Sequence, residues 1–321
     1  MKYSVLSDSL ADKAIRVFPF SHRLGLYFAD TELIVRFRDS VTEIGASSLA
    51  FGEAVAATKC KSELLERWAY IEWQWDGCPN LKQIGFWSDK SLGYPSKIAV
   101  SRRDATGMCA GPEQIRSRVL LHGLLEVLER DAVTRLFDRG EGILRSPVST
   151  LPDELIRFAD RWRGGFEIFV FDRWYHPPVA IVMFFTKRGD AGAIGTACRL
   201  SEYDACVHAA TEAIMMFTTA RHWARQPSVP PQYAGLVWAS RSVAVLSQEL
   251  WSHHVTKASH GDASVIEAHL PQIVADHFGS EPSFCKFPTK TSTLAGLGVW
   301  RVSVPNTLSP ASVTRSPWPI G

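Results

Sequence analysis

The sequence predicts a mixed α/β fold, and three observations lead there. Short segments rich in β-branched and aromatic residues read as strands; Thr31 to Arg38, with Leu33, Ile34, Val35 and Phe37, is the first of them. Longer segments carry apolar residues at three- and four-residue spacing and read as amphipathic helices. Glycine-bearing stretches lie between the two kinds, so the order strand, glycine loop, helix is used three times with variation.

Taken in order, the first strand is followed by a turn, Gly45-Ala46-Ser47-Ser48, and by Phe51-Gly52. A helix comes next, with the core stripe Leu64, Trp68, Ile71 and Trp75. Pro79 closes that region, and Gly85 to Pro95 reads as loop or short strand. Ile98-Ala99-Val100 reads as a strand leading through the loop Thr106-Gly107-Met108-Cys109-Ala110-Gly111 into a second helix, which starts near Pro112-Glu113. Its stripe is Leu121, Leu124, Leu125, Leu128 and Ala132. Two strands, Phe166 to Phe171 and Val179 to Phe185, are joined by a turn containing Pro177 and Pro178. The third helix, Tyr203 to Ala220, follows the loop Gly192 to Gly195. Pro227, Pro230 and Pro231 open a less regular section, and Val299 to Val304 is the last strand. The tail Ser309 to Gly321 holds Pro310, Pro317 and Pro319 and cannot be helical.

A chain of 321 residues can bury a large core, as one large α/β domain or two small ones. The net charge of +2, with Lys and Arg scattered, argues against a surface that coats nucleic acid. The start, Met1-Lys2-Tyr3-Ser4, has no apolar stretch of signal-peptide length, and no segment reaches the length of a membrane span, so a cytoplasmic protein is expected. The six cysteines form no Cys-x-x-Cys pair, so buried free thiols are expected rather than a zinc site or disulfide framework. Trp73, Trp75 and Trp87 suit core packing or a protein interface.

The chemistry is concentrated in a string that occurs twice, Glu63-Leu64-Leu65-Glu66-Arg67 and Glu126-Val127-Leu128-Glu129-Arg130. Residues three apart share a helix face, so each pair of carboxylates points one way beside its apolar stripe. A single copy of the string is normally a solvated face, with ion pairs worth a few tenths of a kcal/mol. Two copies in the same register can place four carboxylates around a shared space, a donor set that suits a hard cation such as magnesium together with nucleotide phosphates. Arg67 and Arg130 would then grip phosphate oxygens or clamp the carboxylates.

Other motifs are set aside. There is no Gly-x-x-x-x-Gly-Lys-Ser/Thr loop, no Gly-x-Gly-x-x-Gly after a strand and no Gly-x-Ser-x-Gly elbow. His253, His254 and His260 read as ordinary surface or core residues, and Cys109 as packing.

At these residues the sequence resembles the YcaO family, ATP-dependent enzymes that activate peptide backbone amides. The second string carries the resemblance most fully: Thr106-Gly107-Met108-Cys109-Ala110-Gly111, then Gly123-Leu124-Leu125-Glu126-Val127-Leu128-Glu129-Arg130-Asp131-Ala132. Glu63 to Tyr70, Ala209-Ala210-Thr211-Glu212, Val302-Ser303-Val304-Pro305 and Ser316-Pro317-Trp318-Pro319 are similar to the family's first helix, third helix, late strand and proline-alternating C-terminus. The resemblance runs from the first strand to the last residue. It implies a family-type α/β domain over residues 31–321, with residues 1–30 as an N-terminal segment available for partner contact.

The resemblance further implies that Glu63, Glu66, Glu126 and Glu129 hold Mg2+ against ATP phosphates. Arg67, Arg130, Thr106 and Glu212 complete the nucleotide site, and Pro317, Pro319 and the Gly321 carboxylate lie close to the reacting peptide. The implied reaction is cyclodehydration of Cys, Ser or Thr to azolines during bacteriocin-type maturation of a ribosomally made peptide. Its alternatives are thioamide formation with external sulfide and a scaffold without turnover. Thr106, His208 and Met215 stand where the family pattern has Asn, a basic residue and Gln, and these departures favour the scaffold. Nothing before Thr31 resembles the E1-like or winged-helix domain of fused members. The implied partners are therefore a precursor peptide, a separate E1-like or leader-binding protein contacted through Phe18-Pro19-Phe20 or the Trp-rich stretch after Glu72, and a flavin oxidase. The implied assembly is a homodimer or hetero-oligomer.

Overall fold

A computed structural model describes residues 3–5, 15–21, 25–37, 40–77, 79–93, 105–147, 149–172, 177–187, 191–229, 234, 236–237, 240–255, 263–288 and 297–308. The fold is mixed α/β, and the chain divides into two compact units that interleave in sequence. The first comprises Met1–Ala99, Thr106–Leu124 and Pro282–Ser303; the second comprises Val100–Ala105, Leu125–Glu281 and Val304–Gly321.

In the first unit, β3 (Leu26–Phe37) pairs antiparallel with β4 (Ser40–Phe51) along its whole length, and with β1 (Tyr3–Val5) and β2 (Arg16–Ser21). Helix α1 (Glu53–Trp75) packs on this sheet. The core between them holds Ala29, Leu33, Val35, Ile44, Ala46, Ala50, Ala56, Cys60, Leu64 and Trp68. Small residues on β4 let the helix approach closely: the Ser48 hydroxyl donates to Ala56 O at 2.6 Å, and the Cys60 thiol to Ala46 O at 3.4 Å. Gly52 caps α1 at φ 88°, a conformation that favours glycine.

A second antiparallel sheet of the same unit runs β6 (Ser91–Gly93), β5 (Gln83–Gly85), β13 (Ser283–Lys286), β14 (Leu297–Ser303), β7 (Thr106–Pro112). After a 3-10 turn, Glu113–Ile115, helix α2 (Arg116–Arg139) begins, and its residues up to Leu124 belong to this unit.

The second unit is built on the sheet β11 (Gly192–Cys198), β10 (Val179–Thr186), β9 (Gly164–Asp172), β8 (Ile143–Arg145), β12 (His254–Val255), in which only the β8–β12 pair is parallel. Val179 to Phe184 are all buried, because helix α4 (Glu202–Trp223) lies on β10 and β11. Phe184 packs its ring on Phe158, Phe166 and Phe217. Helix α3 (Asp153–Arg161) packs on β9 and α5 (Val243–Ser252) on β10 and β11, and the unit also contains α6 (Ala263–Phe278).

Several local expectations change. Gly45 to Ser48 is not a turn but the middle of β4, and both Gly107 to Gly111 and Gly192 to Gly195 are strand rather than loop. Their glycines serve close packing: a Cβ on Gly107 would stand 2.0 Å from Gly123 O, and one on Gly195 would stand 2.1 Å from Ala209 O of α4. The section after Pro227, read as irregular, contains α5 and α6, the latter with Pro271 inside it. Trp68 is fully buried and Trp73 nearly so, whereas Trp87 is 37 % exposed. The strand expected at Ile98 to Val100 lies outside the described residues, as does the tail with Pro310, Pro317, Pro319 and Gly321. Among the described residues no helix is long and apolar enough to cross a membrane.

Candidate functional site

The two Glu-x-x-Glu-Arg strings fall on α1 and α2 and make the same local arrangement. In each, the first carboxylate pairs with the arginine one turn on, Glu63 with Arg67 and Glu126 with Arg130, both at 2.5 Å. Arg67 also donates to Gly45 O on β4 at 2.5 Å, so it is a clamp on its carboxylate and on the strand below. The second carboxylate of each string reaches a glycine-bearing strand. Glu66 accepts the Ala110 N–H of β7 at 3.0 Å, and Glu129 accepts the Cys198 N–H of β11 at 3.2 Å and the Thr196 hydroxyl at 2.6 Å. The glycines of these strands face other helices: Gly107 lies against Gly123 of α2 and Gly195 against Ala209 of α4.

Helix α4 adds a third carboxylate. Glu212 accepts the Thr196 N–H at 3.2 Å, so Glu129 and Glu212 both fasten on Thr196, one through its hydroxyl and one through its backbone. Thr196 and Cys198 were not singled out from the sequence. No linear signal marks them, because their significance comes from two helices meeting one strand.

Burial pushes the Glu63 carboxyl above the ordinary carboxylate range, while Arg67 and the Ser47 backbone pull it back. Burial likewise pushes the Cys198 thiol up, and the nearby Glu129 charge adds to the effect. Cys109 is fully buried beneath Gly123 and points its thiol at Trp300 O, so it packs as expected. His254 meets Ser146 at 2.9 Å and packs edge-to-face with Trp251 and Phe169.

Thr106 opens β7 opposite Ser303 in the first unit, and His208 and Met215 are half-buried on α4 in the second. Glu63, Glu66, Arg67 and Thr106 thus belong to one unit, and Glu126, Glu129, Arg130 and Glu212 to the other. Within each unit, among the described residues, no group of three or more His, Cys, Asp or Glu side chains could hold a metal ion by itself. Magnesium usually takes only one or two carboxylates and fills its octahedron with water and phosphate oxygens. A carboxylate pair on a rigid helix, with no soft ligand in the motif, fits that chemistry.

Residues 86–269 match the family model described as YcaO cyclodehydratase, ATP- and Mg2+-binding. Comparison with curated proteins finds no match. Among solved structures, the E. coli microcin synthetase McbBCD complex with pro-MccB17 bound is similar at 12 % identity and a TM-score of 0.61, over 93 % of this chain and 89 % of that one. YcaO from Methanopyrus kandleri, bound with AMPPCP and Mg2+, is similar at 16 % identity and a TM-score of 0.58, over 92 % and 86 %. A heterocyclase in complex with substrate and cofactor is similar at 13 % identity and a TM-score of 0.59; 96 % of this chain covers 50 % of that one. At these identities the likeness is one of fold.

Proposed function

The chain belongs to the YcaO family of ATP- and Mg2+-binding cyclodehydratases, and from that premise we propose that it is the catalytic subunit that converts Cys, Ser or Thr of a ribosomally made precursor peptide into azolines. One observation carries the reading: the duplicated string makes the same contacts twice, an arginine-clamped first carboxylate and a second carboxylate anchored on a glycine-bearing strand. Solvated helix faces would not be expected to repeat such anchoring.

In this reading Glu63, Glu66, Glu126 and Glu129 would hold Mg2+, and Glu212, Arg67, Arg130 and Thr106 would contact the nucleotide. ATP supplies the phosphoryl group that turns a backbone amide oxygen into a leaving group, and the metal offsets its charge. The substrate's own side chain gives up its proton and attacks the preceding carbonyl carbon, which closes the ring; the former carbonyl oxygen, once phosphorylated, departs as phosphate, and loss of the amide proton forms the C=N bond. Thr196 fixes the rotamers of Glu129 and Glu212, so that both carboxylates are oriented before any ligand arrives. Pro317, Pro319 and Gly321 would orient the reacting peptide or help to accept its proton. A separate E1-like or leader-binding protein delivers the precursor, and a flavin oxidase acts on the product.

The test is ATP-dependent phosphate release with precursor peptide and partner, read beside the mass of the peptide. Loss of water marks a ring, replacement of oxygen by sulfur marks a thioamide, and neither event marks a scaffold. Glu126→Gln or Glu129→Gln should abolish turnover while the fold persists; retained turnover removes their metal role.

A further inference from the structure

Asp131 directly follows the second Glu-x-x-Glu-Arg string, and nothing above uses it. It is buried, with 1 % of its surface exposed, and its carboxylate works in two directions. Its Oδ1 accepts the Leu308 N–H at 2.7 Å, and both oxygens accept from Nε of Arg135, one turn on, at 3.0 and 2.9 Å. Arg135 pairs with Glu141 at 3.1 Å and donates to the carbonyl oxygen of Asn306 at 3.2 Å. Between those two backbone contacts, the Thr307 hydroxyl accepts the Ala105 N–H at 2.9 Å and donates to Val304 O at 2.7 Å. The Asn306 side chain donates to Phe278 O at 2.9 Å, and its backbone takes the left-handed φ of 66°. Burying a carboxylate is costly unless it is well hydrogen-bonded, and here the compensation comes partly from main chain at residues 306–308. The C-terminal tail begins at the next residue.

We propose that Asp131 is a positioning residue: its clasp with Arg135 fastens Asn306, Thr307 and Leu308 to the helix that carries Glu126 and Glu129, and so fixes the point from which the tail sets out. The proposal rests on the reading that gives Pro317, Pro319 and Gly321 a part in the reaction. One helix then serves both ends of the chemistry, holding the nucleotide carboxylates and the root of the tail. A buried ion pair with a structural role alone would show no such division of effects.

Two variants test it in the full chain with partner, precursor peptide and ATP. Asp131→Ala removes the acceptor, and the double variant Asp131→Leu with Arg135→Met removes both charges, so that neither stays buried alone. In each, kcat for peptide modification should fall about 10- to 100-fold, the scale of a displaced reacting group, while the KM for ATP stays within about twofold. Amide hydrogen exchange should quicken across residues 304–308 and stay unchanged along helix 116–139. Unchanged exchange at 304–308, or faster exchange with unchanged kcat, overturns the proposal. So does a joint loss of kcat and ATP affinity with faster exchange throughout the helix, which marks a structural role only. No peptide modification by the unaltered chain defeats the functional reading and the positioning role with it, whereas the exchange result still decides the clasp.

Discussion

Thr196 shows how much a single side chain can organise. Its hydroxyl and its N–H each hold a different glutamate, so Thr196→Val should loosen Glu129, leaving it only the Cys198 N–H, while the backbone contact to Glu212 stays. The loss expected is that of a group orienting a metal-binding carboxylate, about 10- to 100-fold in Mg2+-dependent activity, with the thermal midpoint little changed. Steady-state rates against Mg2+ concentration check this, and an unaltered Mg2+ dependence would count against it. The buried cysteines give a second prediction. Burial pushes the thiols of Cys206 and Cys285 up to about 11, so both stay protonated at neutral pH. Native chain at pH 8 should therefore resist alkylation at these positions and accept it after unfolding in urea, as peptide mass mapping would show. A thiol whose pKa is raised by folding stabilises the fold below its unfolded pKa. That contribution is lost as pH climbs through the folded value, so stability should decline toward pH 11.

At the scale of elements, glycine and alanine on the strands decide how near the helices come. Gly107 and Gly195 face helix backbone at 2.0 and 2.1 Å from the position a Cβ would take, so Gly107→Ala and Gly195→Ala should each cost about 1–3 kcal/mol through overpacking. Gly45, whose nearest neighbour to that position is 3.9 Å away, should accept alanine within about 0.5 kcal/mol. Thermal unfolding of the three variants would rank them, and equal losses would refute the packing account. The same residues explain a limit on reading the sequence. Glycines at Gly45, Gly107 and Gly192 to Gly195 suggest turns, because a turn is the commonest local use of glycine. A strand beneath a close helix uses glycine for a tertiary reason, which no local pattern contains. The section opened by Pro227, Pro230 and Pro231 is a related case: it holds α6, which carries Pro271 although a helix interior rarely tolerates proline. The strands β9 and β10 and the Glu helices were legible because their apolar pattern is strong: Leu64 and Trp68, or Leu124 and Leu128, are buried where the spacing puts them.

For the whole molecule, nucleotide binding should appear as a gain in stability that depends on the metal. A non-hydrolysable ATP analogue with Mg2+, at 100 times its Kd, should stabilise the fold by about 2.7 kcal/mol, and chelation should cancel the gain. Thermal shift measurements with and without EDTA check this; a shift that persists in EDTA would contradict a metal-bridged nucleotide. Glu126→Gln should reduce the gain in the same assay. By itself the sequence determined the fold class, the family resemblance and the identity of the paired carboxylates, since these rest on apolar period and on a string of fixed spacing. Tertiary structure alone decided that the second glutamate of each pair is anchored on a strand, that Thr196 joins two helices, and that Asp131 holds main chain at Leu308. The physical reason is separation along the chain: Glu129 and Thr196 are 67 residues apart, Asp131 and Leu308 are 177, and only packing brings such partners within hydrogen-bond reach.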